Sequence, residues 1–287
     1  ERQAILTLVN QPAFADQPPS QIVPALADQG VYLASESTFY RVLKAANQWH
    51  HRGKARAPTH RRPESLTATA PLQVWSWDIT YLATTVKGMF FYLYLFLDVF
   101  SRKIVGWEVF TSESAEQAAT VLAQAYHREE VRPATLVLHA DNGGPMKGAT
   151  MLATLQRLGV MPSFSRPSVS DDNPFSEALF KTLKYQPGTP SQPFGNLEAA
   201  RQWVAGFVAW YNETHRHSAL PFVTPGQRHR GEDPALLDLR RQLYAAARAR
   251  HPERWSGPIR HWEPVSAVCL NPGQPRKQEA KNTPNAT

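Results

Sequence analysis

Along the first fifty residues, apolar side chains recur at three- and four-residue intervals. This predicts three helices, in ERQAILTLVN, SQIVPALADQG and SESTFYRVLKAANQ. Gly30 is placed to close the second and Ser35 to cap the third. On the third, Phe39, Val42, Leu43 and Ala46 share an apolar face, while Ser37, Arg41 and Lys44 fall on another at i, i+4 and i+7. Two helices joined by a short Gly-containing turn, the second displaying basic and hydroxyl groups, have the form of a DNA-reading helix-turn-helix, a pattern shared with small bundles that bind no DNA. Residues 50–71 lose all apolar periodicity, are basic and Pro-punctuated, and predict a linker.

From Leu72 the period shortens. QVWSWDITYL, MFFYLYLFLDVF and KIVGWEVF predict three strands, joined at Lys87-Gly88 and Ser101-Arg102 by turns short enough for antiparallel pairing. A helix over 114–128, a strand TLVLHA, a helix over 149–158 and a short strand VMPSFS follow. A three-strand meander followed by alternating helix and strand predicts an α/β fold, a mixed sheet flanked by helices. Beyond it lie an amphipathic helix around Glu177, a long one over 197–212 and another over 234–250, then a Pro-, Gly- and Trp-containing tail that turns polar after Gln274. The expected organisation is an all-α helix-turn-helix module at 1–49, a basic linker at 50–71, a core at 72–230, and a helical extension with its tail at 231–287.

Composition narrows the partners. The formal charge of +7 and a pI near 9.6 favour a polyanion. Between Arg41 and Arg62 there are seven Lys or Arg and no Asp or Glu, a stretch suited to neutralising phosphates. The single cysteine, Cys269, excludes an internal disulfide and a cysteine-based zinc site. The run from Met89 to Phe100 is too short for a membrane helix. With no secretory or transit pattern, a bacterial cytoplasmic, nucleoid-associated setting is expected, and the missing initial Met points to a trimmed or partial chain.

Three carboxylates stand out. Asp78 lies inside an otherwise apolar, aromatic strand, where an unpaired acid is costly to bury. Asp141 follows TLVLHA where that strand emerges into DNGG, a place where α/β sheets gather ligands and where turn chemistry alone also uses Asp. Glu177 lies on a helix whose Phe175, Leu179 and Leu183 share one face; Glu177, Lys181 and Lys184 share the opposite one. A salt-bridged solvent face and a metal-binding Glu flanked by phosphate-binding lysines both have this pattern.

Thirty-five residues separate Asp141 from Glu177, and a Lys stands seven positions after the Glu. With WSWDITYL, LDVFSRKIVGW, HADNGG, DDNPFSEALFKTLK and YNETHRHSALPFVTP in order, residues 72–230 resemble the DDE core of retroviral integrases and of transposases in the IS-three insertion-sequence family. The resemblance implies an RNase H-like mixed five-stranded sheet in which Asp78 and Asp141 meet at neighbouring parallel strands and Glu177 reaches in from its helix. It implies a metal-dependent polynucleotidyl transferase with Asp78, Asp141 and Glu177 holding Mg²⁺ or Mn²⁺, two ions together, since hard oxygen donors suit these cations. Expected DNA contacts are Ser37, Arg41, Lys44, Lys181, Lys184, Arg216 and His217. The expected partners are the transposon's terminal inverted repeats, a target duplex and further copies of the chain, in circle-forming, copy-out transposition. The family's usual Arg-Gly-Ser-Gln-Tyr run after the second Asp is replaced here by Asn142-Gly143-Gly144-Pro145-Met146, and its usual Arg by His215.

Other acids and rings read as structural. Asp98 resembles a family position outside the triad, Asp171 and Asp172 fit turn chemistry, and Trp75, Trp77, Trp203 and Trp210 fit a core. His50, His51 and His60 lack the cysteine partners of a zinc site. Two other activities fit the same residues: a nuclease on this scaffold without strand transfer, and a degenerate copy that binds DNA as a repressor.

Overall fold

The computed structural model describes residues 1–15, 17–46, 48, 65–166, 172–186 and 188–272. The chain divides into two compact units, Glu1–Arg61 and Arg62–Thr287. In the first, α1 (Arg2–Val9), α2 (Pro19–Ala27) and α3 (Glu36–Ala45) enclose Ile5, Val9, Ile22, Leu26, Phe39 and Leu43. Gly30 takes a left-handed φ of 73° between α2 and α3, which a side chain would oppose. The stretch expected to be a basic linker lies outside the described residues as far as Glu64.

The second unit begins with a strand inside the segment read as linker. In β1 (Leu66–Ala68), Leu66 and Ala68 flank an outward Thr67. This strand pairs antiparallel with β7 (Val268–Leu270) from the segment read as tail. Three residues alternate too briefly to announce a strand, so this pairing corrects the sequence reading.

The main sheet comprises β2 (Val74–Ala83), β3 (Phe90–Asp98), β4 (Ile104–Phe110), β5 (Val137–Ala140) and β6 (Met161–Phe164), in the order β4-β3-β2-β5-β6. Strands β2, β3 and β4 pair antiparallel, and β5 and β6 add in parallel. An antiparallel meander continued by parallel strands is the RNase H-like arrangement. Helices α4 (Ala115–Arg128), α5 (Gly144–Lys147) and α6 (Ala149–Leu158) lie in the connections, and α7 (Pro174–Tyr185), α8 (Leu197–Glu213), α9 (Pro225–His229) and α10 (Asp233–Arg250) follow.

Both faces of the sheet are covered, so β3 is apolar from Phe90 to Leu97 rather than alternating. Tyr94 and Phe96 join Trp75 and Trp77 against Leu122 and Ala125 of α4. The intervening Leu93, Leu95 and Leu97 join Leu179 and Leu183 of α7 and Phe207 of α8. A Cβ on Gly106 would stand 2.9 Å from that of Ala125, so α4 packs this closely because β4 carries no side chain there. Trp203 and Trp210 pack partly buried on the second core, as expected.

Candidate active site

Strand alternation sorts the polar residues. In β2, Trp75 and Trp77 face α4, and the buried Ser76 faces α7, where its hydroxyl donates to Asn173 Oδ1 at 2.5 Å and lies 2.7 Å from Ser176 Oγ. Asp78 therefore has the α7-facing parity. In β5, Leu138 and Ala140 face α4, leaving His139 and then Asp141 with the same parity as Asp78. The register pairs Trp77 with Ala140, so Asp78 and Asp141 are the next positions along two adjacent parallel strands. Beyond that point β5 has ended and β2 runs on to Ala83, which leaves Asp78 at the rim of the parallel half.

The third carboxylate arrives on α7. Pro174 occupies the first turn, where its missing N–H costs nothing, and Glu177 follows in the same turn. Buried polar groups fix where this helix starts. His139 lies within hydrogen-bonding distance of Ser163 Oγ through Nδ1 (3.0 Å) and of the Asp172 carbonyl through Nε2 (2.9 Å). Asn271 donates to the same carbonyl at 3.0 Å, and Asn173 Nδ2 reaches the Trp77 carbonyl at 3.4 Å. Arg102, at a left-handed φ of 65° between β3 and β4, stacks 4.1 Å over the ring of Phe175. Asp172 is more than a turn residue: it is fully buried and takes Arg166 in a bidentate ion pair, with both nitrogens at 3.0 Å, plus the Arg166 N–H at 2.9 Å. Asp171 lies outside the described residues.

Ser165, at the end of β6, donates to Asp141 Oδ1 at 2.7 Å. Burial pushes the Asp78 carboxyl up to about 7; a hydrogen bond from Ile79 N–H opposes this, and the charges of Asp141, Glu177 and Glu113 add to it. The charges of the other two expected carboxylates are thus felt at Asp78, with Glu113, just before α4, as a further acid that the sequence reading did not single out. As the side chains stand, no three His, Cys, Asp or Glu among the described residues are close enough to hold a metal ion. The donor set nevertheless fits a divalent cation: hard oxygens from three elements whose mutual repulsion a cation relieves.

The expected DNA-contact residues fall into separate groups. Ser37, Arg41 and Lys44 are exposed on α3, where Arg41 donates to Thr38 Oγ1 at 2.9 Å. Lys181 and Lys184 are exposed along α7 in line with Glu177. Arg216 is exposed after α8; His217 is half-buried, with Nδ1 accepting from Ala219 N–H at 3.1 Å. Burial, aided by the charges of Arg102 and His215, lowers His217 to about 4, so it is neutral at pH 7 and brings no charge to a phosphate.

Several anchoring residues escaped the sequence reading. Asn212 brackets Ile104 at the free edge of β4, accepting from its N–H at 2.9 Å and donating to its carbonyl at 3.0 Å. Arg228 is buried against the Phe100 ring, paired with Asp233 at 2.8 Å and bonded to the Phe100 and Val265 carbonyls. Asp98 is structural, as expected: it accepts from Leu72 N–H, Ser101 N–H and Ser101 Oγ, each at 2.7 Å.

A family model described as integrase core domain matches residues 68–170, and a second of the same description matches 158–225. The transposase for insertion sequence element IS904 of Lactococcus lactis is 33% identical over 158 residues, which are 55% of this chain and 61% of that protein. Transposase InsF for insertion sequence IS3A of Escherichia coli is 32% identical over 161 residues, 56% of this chain and 54% of that one. The chain therefore spans less than two thirds of either relative. Among solved structures, a simian T-cell lymphotropic virus intasome bound to PP2A regulatory subunit B56 gamma aligns over 74% of each chain at 17% identity with a TM-score of 0.49. The catalytic core domain of HTLV-2 integrase with magnesium aligns over 56% of this chain and 97% of that one, at 17% identity and a TM-score of 0.43. With two matches to one domain spanning 68–225, more than half of its length, the chain belongs to the integrase core domain family, and these two relatives are transposases of insertion sequences.

Proposed function

We propose that this chain is a DDE transposase that binds insertion-sequence ends and carries out metal-dependent strand cleavage and strand transfer with Asp78, Asp141 and Glu177. The observation that carries the reading is the register that sets Asp78 beside Asp141 on adjacent parallel strands, with the charge of Glu177 on α7 adding to the rise of the Asp78 carboxyl. The three would hold divalent cations, Mg²⁺ or Mn²⁺, which supply charge stabilisation to the attacking and leaving oxygens of an in-line displacement. The protein's part is placement. Strands β2 and β5 hold Asp78 and Asp141 side by side, Ser165 orients Asp141, and the Ser76–Asn173–Ser176 contacts set the approach of Glu177. Water as nucleophile gives nicking and a DNA 3′-hydroxyl gives joining, so no side-chain nucleophile is required.

In this reading Lys181 and Lys184 lead from the carboxylates along α7 and meet backbone phosphates, while Ser37, Arg41 and Lys44 of α3 read or clamp the terminal repeat. Arg216 and His217 stand as further DNA contacts, the His as a neutral hydrogen-bonding group. Two ends and a target must be held together, so the working form is a multimer of this chain on DNA. No helix among the described residues is long and apolar enough to cross a membrane.

The test pairs labelled terminal-repeat DNA with supercoiled plasmid in Mg²⁺ and in Mn²⁺. Joined product supports the transposase. Cut ends without joining identify a nuclease, and a gel shift alone identifies a DNA-binding repressor. Asp78→Asn, Asp141→Asn and Glu177→Gln each keep shape while removing a charged ligand, and each abolishes cutting and joining with end binding retained. Near-normal joining by any one of them removes that residue from the triad.

A further inference from the structure

Helix α10 lies beyond the residues matched by the family models, and its two sides are treated differently. Leu237 is buried with Leu220, Val223 and Trp262; Arg240 donates to the Pro221 and Phe222 carbonyls at 3.0 and 3.2 Å; Tyr244 packs on Trp262 with ring centroids 5.3 Å apart. These three define the docked side. At about 100° per residue, Leu239, Leu243 and Ala246 fall on a stripe turned about 120° from it. Leu239 is 59% exposed and Leu243 64%. Two neighbouring leucines one turn apart, both turned to solvent, form a small apolar stripe on this face.

The charges at the ends of the stripe indicate what covers it. Glu232, at the amino-terminal end, and Arg250, at the carboxyl-terminal end, lie on the same arc as the two leucines, all within about 60°. Arg230 sits between Glu213 and Glu232, at 3.1 and 2.7 Å, so this trio carries one net negative charge. Arg248 and Arg250 make the far end positive. If two copies of α10 pair antiparallel about a two-fold axis at Arg241, each Leu239 meets the partner's Leu243. The same axis brings each Glu232 to the partner's Arg250 and each Leu236 to the partner's Ala246. One register satisfies the apolar pair and the charge pair together, which is the self-complementarity an isologous contact requires. Parallel pairing would set Glu232 on Glu232 and Arg250 on Arg250.

We propose that the outer face of α10 is a homodimer contact, closed by Leu239, Leu243, Glu232 and Arg250 with a second copy of this chain. A single helix pair buries less than a standard interface, so association is concentration-dependent, on the order of micromolar. The contact gives a physical surface to the multimer of the proposed transposase, but its test contains no DNA, so it stands or falls separately from that reading.

The experiment is light scattering and sedimentation equilibrium of the full chain over about 1–100 μM. Leu239→Ser with Leu243→Ser halves the mass of the associated species, or raises its dissociation constant at least tenfold, with a melting temperature close to that of wild type when both are measured dilute enough to be monomeric. Arg250→Glu alone and Glu232→Arg alone each weaken self-association, since each places like charges opposite one another twice. Mixed in equal amounts, these two single variants restore it, because the mixed pair has two opposite-charge contacts. Restoration on mixing is the signature of the antiparallel register and is produced neither by misfolding nor by a dimer formed elsewhere. A monomer at every concentration, an unchanged mass for the double leucine variant, or no recovery on mixing overturns the proposal.

Discussion

On the face covered by α4, the sheet buries Trp77, Tyr94 and Phe96 against Ala118, Leu122 and Ala125; on the other, Ser76 and His139 meet Asn173, Ser176 and the Asp172 carbonyl. Apolar packing is non-directional, so it holds a helix against a sheet without strongly fixing its position along the strands. Buried hydrogen bonds are directional and costly to leave unmade, so they fix register. The acids follow the same division. Asp78 and Asp141 have the α7 face's parity, and the helix that brings Glu177 is the one those hydrogen bonds hold.

If the α4 face supplies stability and the hydrogen-bonded set at the start of α7 supplies position, damage to each should read out differently. Trp77→Ala removes a fully buried ring stacked 5.0 Å from Phe96 and is expected to destabilise folding by about 3–5 kcal/mol. Leu122→Ala should cost about 2–5 kcal/mol. Urea unfolding measures both, and the joining rate per folded molecule should stay near wild type. A large loss of rate in the still-folded fraction would show that this face also tunes the site.

Asn173→Ala makes the complementary cut. It removes the acceptor of Ser76 Oγ and the donor to the Trp77 carbonyl, leaving buried groups unpaired at about 1–3 kcal/mol. Because α7 then loses its register, the joining rate at saturating DNA should fall by about 10²-fold while end affinity holds, since small misplacements are expensive in catalysis. A rate that merely follows the folded fraction would reduce this hydrogen-bonded set to ordinary stabilisation.

What the sequence disclosed follows the same line. Long periodic runs showed β2, β3, β4 and the helices α4, α6, α8 and α10 within a residue or two, and α7 as a helix around Glu177, because packing repeats along them. The carboxylates showed because an Asp amid Trp77 and Ile79 violates its surroundings and because ordered motifs surrounded it. The polar contacts beneath α7 were visible only as oddities, Ser76 between two tryptophans and His139 between Leu138 and Ala140. Their partners sit up to a hundred residues away, and no local pattern names them. Helix α9 was legible in principle, since Thr224 and Gln227 form a capping box around Pro225. The β1–β7 pairing was not, because three residues carry too little alternation and the partners lie about two hundred positions apart.

Two carboxylates carry the comparison into electrostatics. The Asp78 carboxyl is pushed up by burial and by other acids, whereas Glu129, at the end of α4, is held down to about 2: burial works against its charge, but hydrogen bonds from His229 and Lys103 outweigh it. A depressed carboxylate adds stability that is fully present above its ordinary value near 4.5 and is lost as pH falls toward about 2. The melting-temperature advantage of wild type over Glu129→Gln should therefore shrink steadily as pH falls below 5. An advantage independent of pH across that range would mean that shape, not charge, holds Glu129 in place.

The smallest effect, and the sharpest test of position against stability, belongs to Lys184. It is exposed at the carboxyl-terminal end of α7, about 10.5 Å along the helix axis from Glu177, so in the proposed complex its ammonium would meet a phosphate of the bound end rather than a metal. An exposed charge contributes little to folding, and even an exposed ion pair is worth only about 0.2–1 kcal/mol. Lys184→Ala should therefore leave the melting temperature and Mn²⁺ affinity unchanged. End affinity should fall several-fold, and the slope of log affinity against log salt should drop by about 0.9, the release of counterions from one phosphate. Joining should fall in parallel at subsaturating DNA and recover at saturation, which separates a binding contact from the placement defect of Asn173→Ala. Wild-type affinity and slope across the salt range would return Lys184 to a solvated surface charge and would end the phosphate-binding stripe of α7 at Lys181.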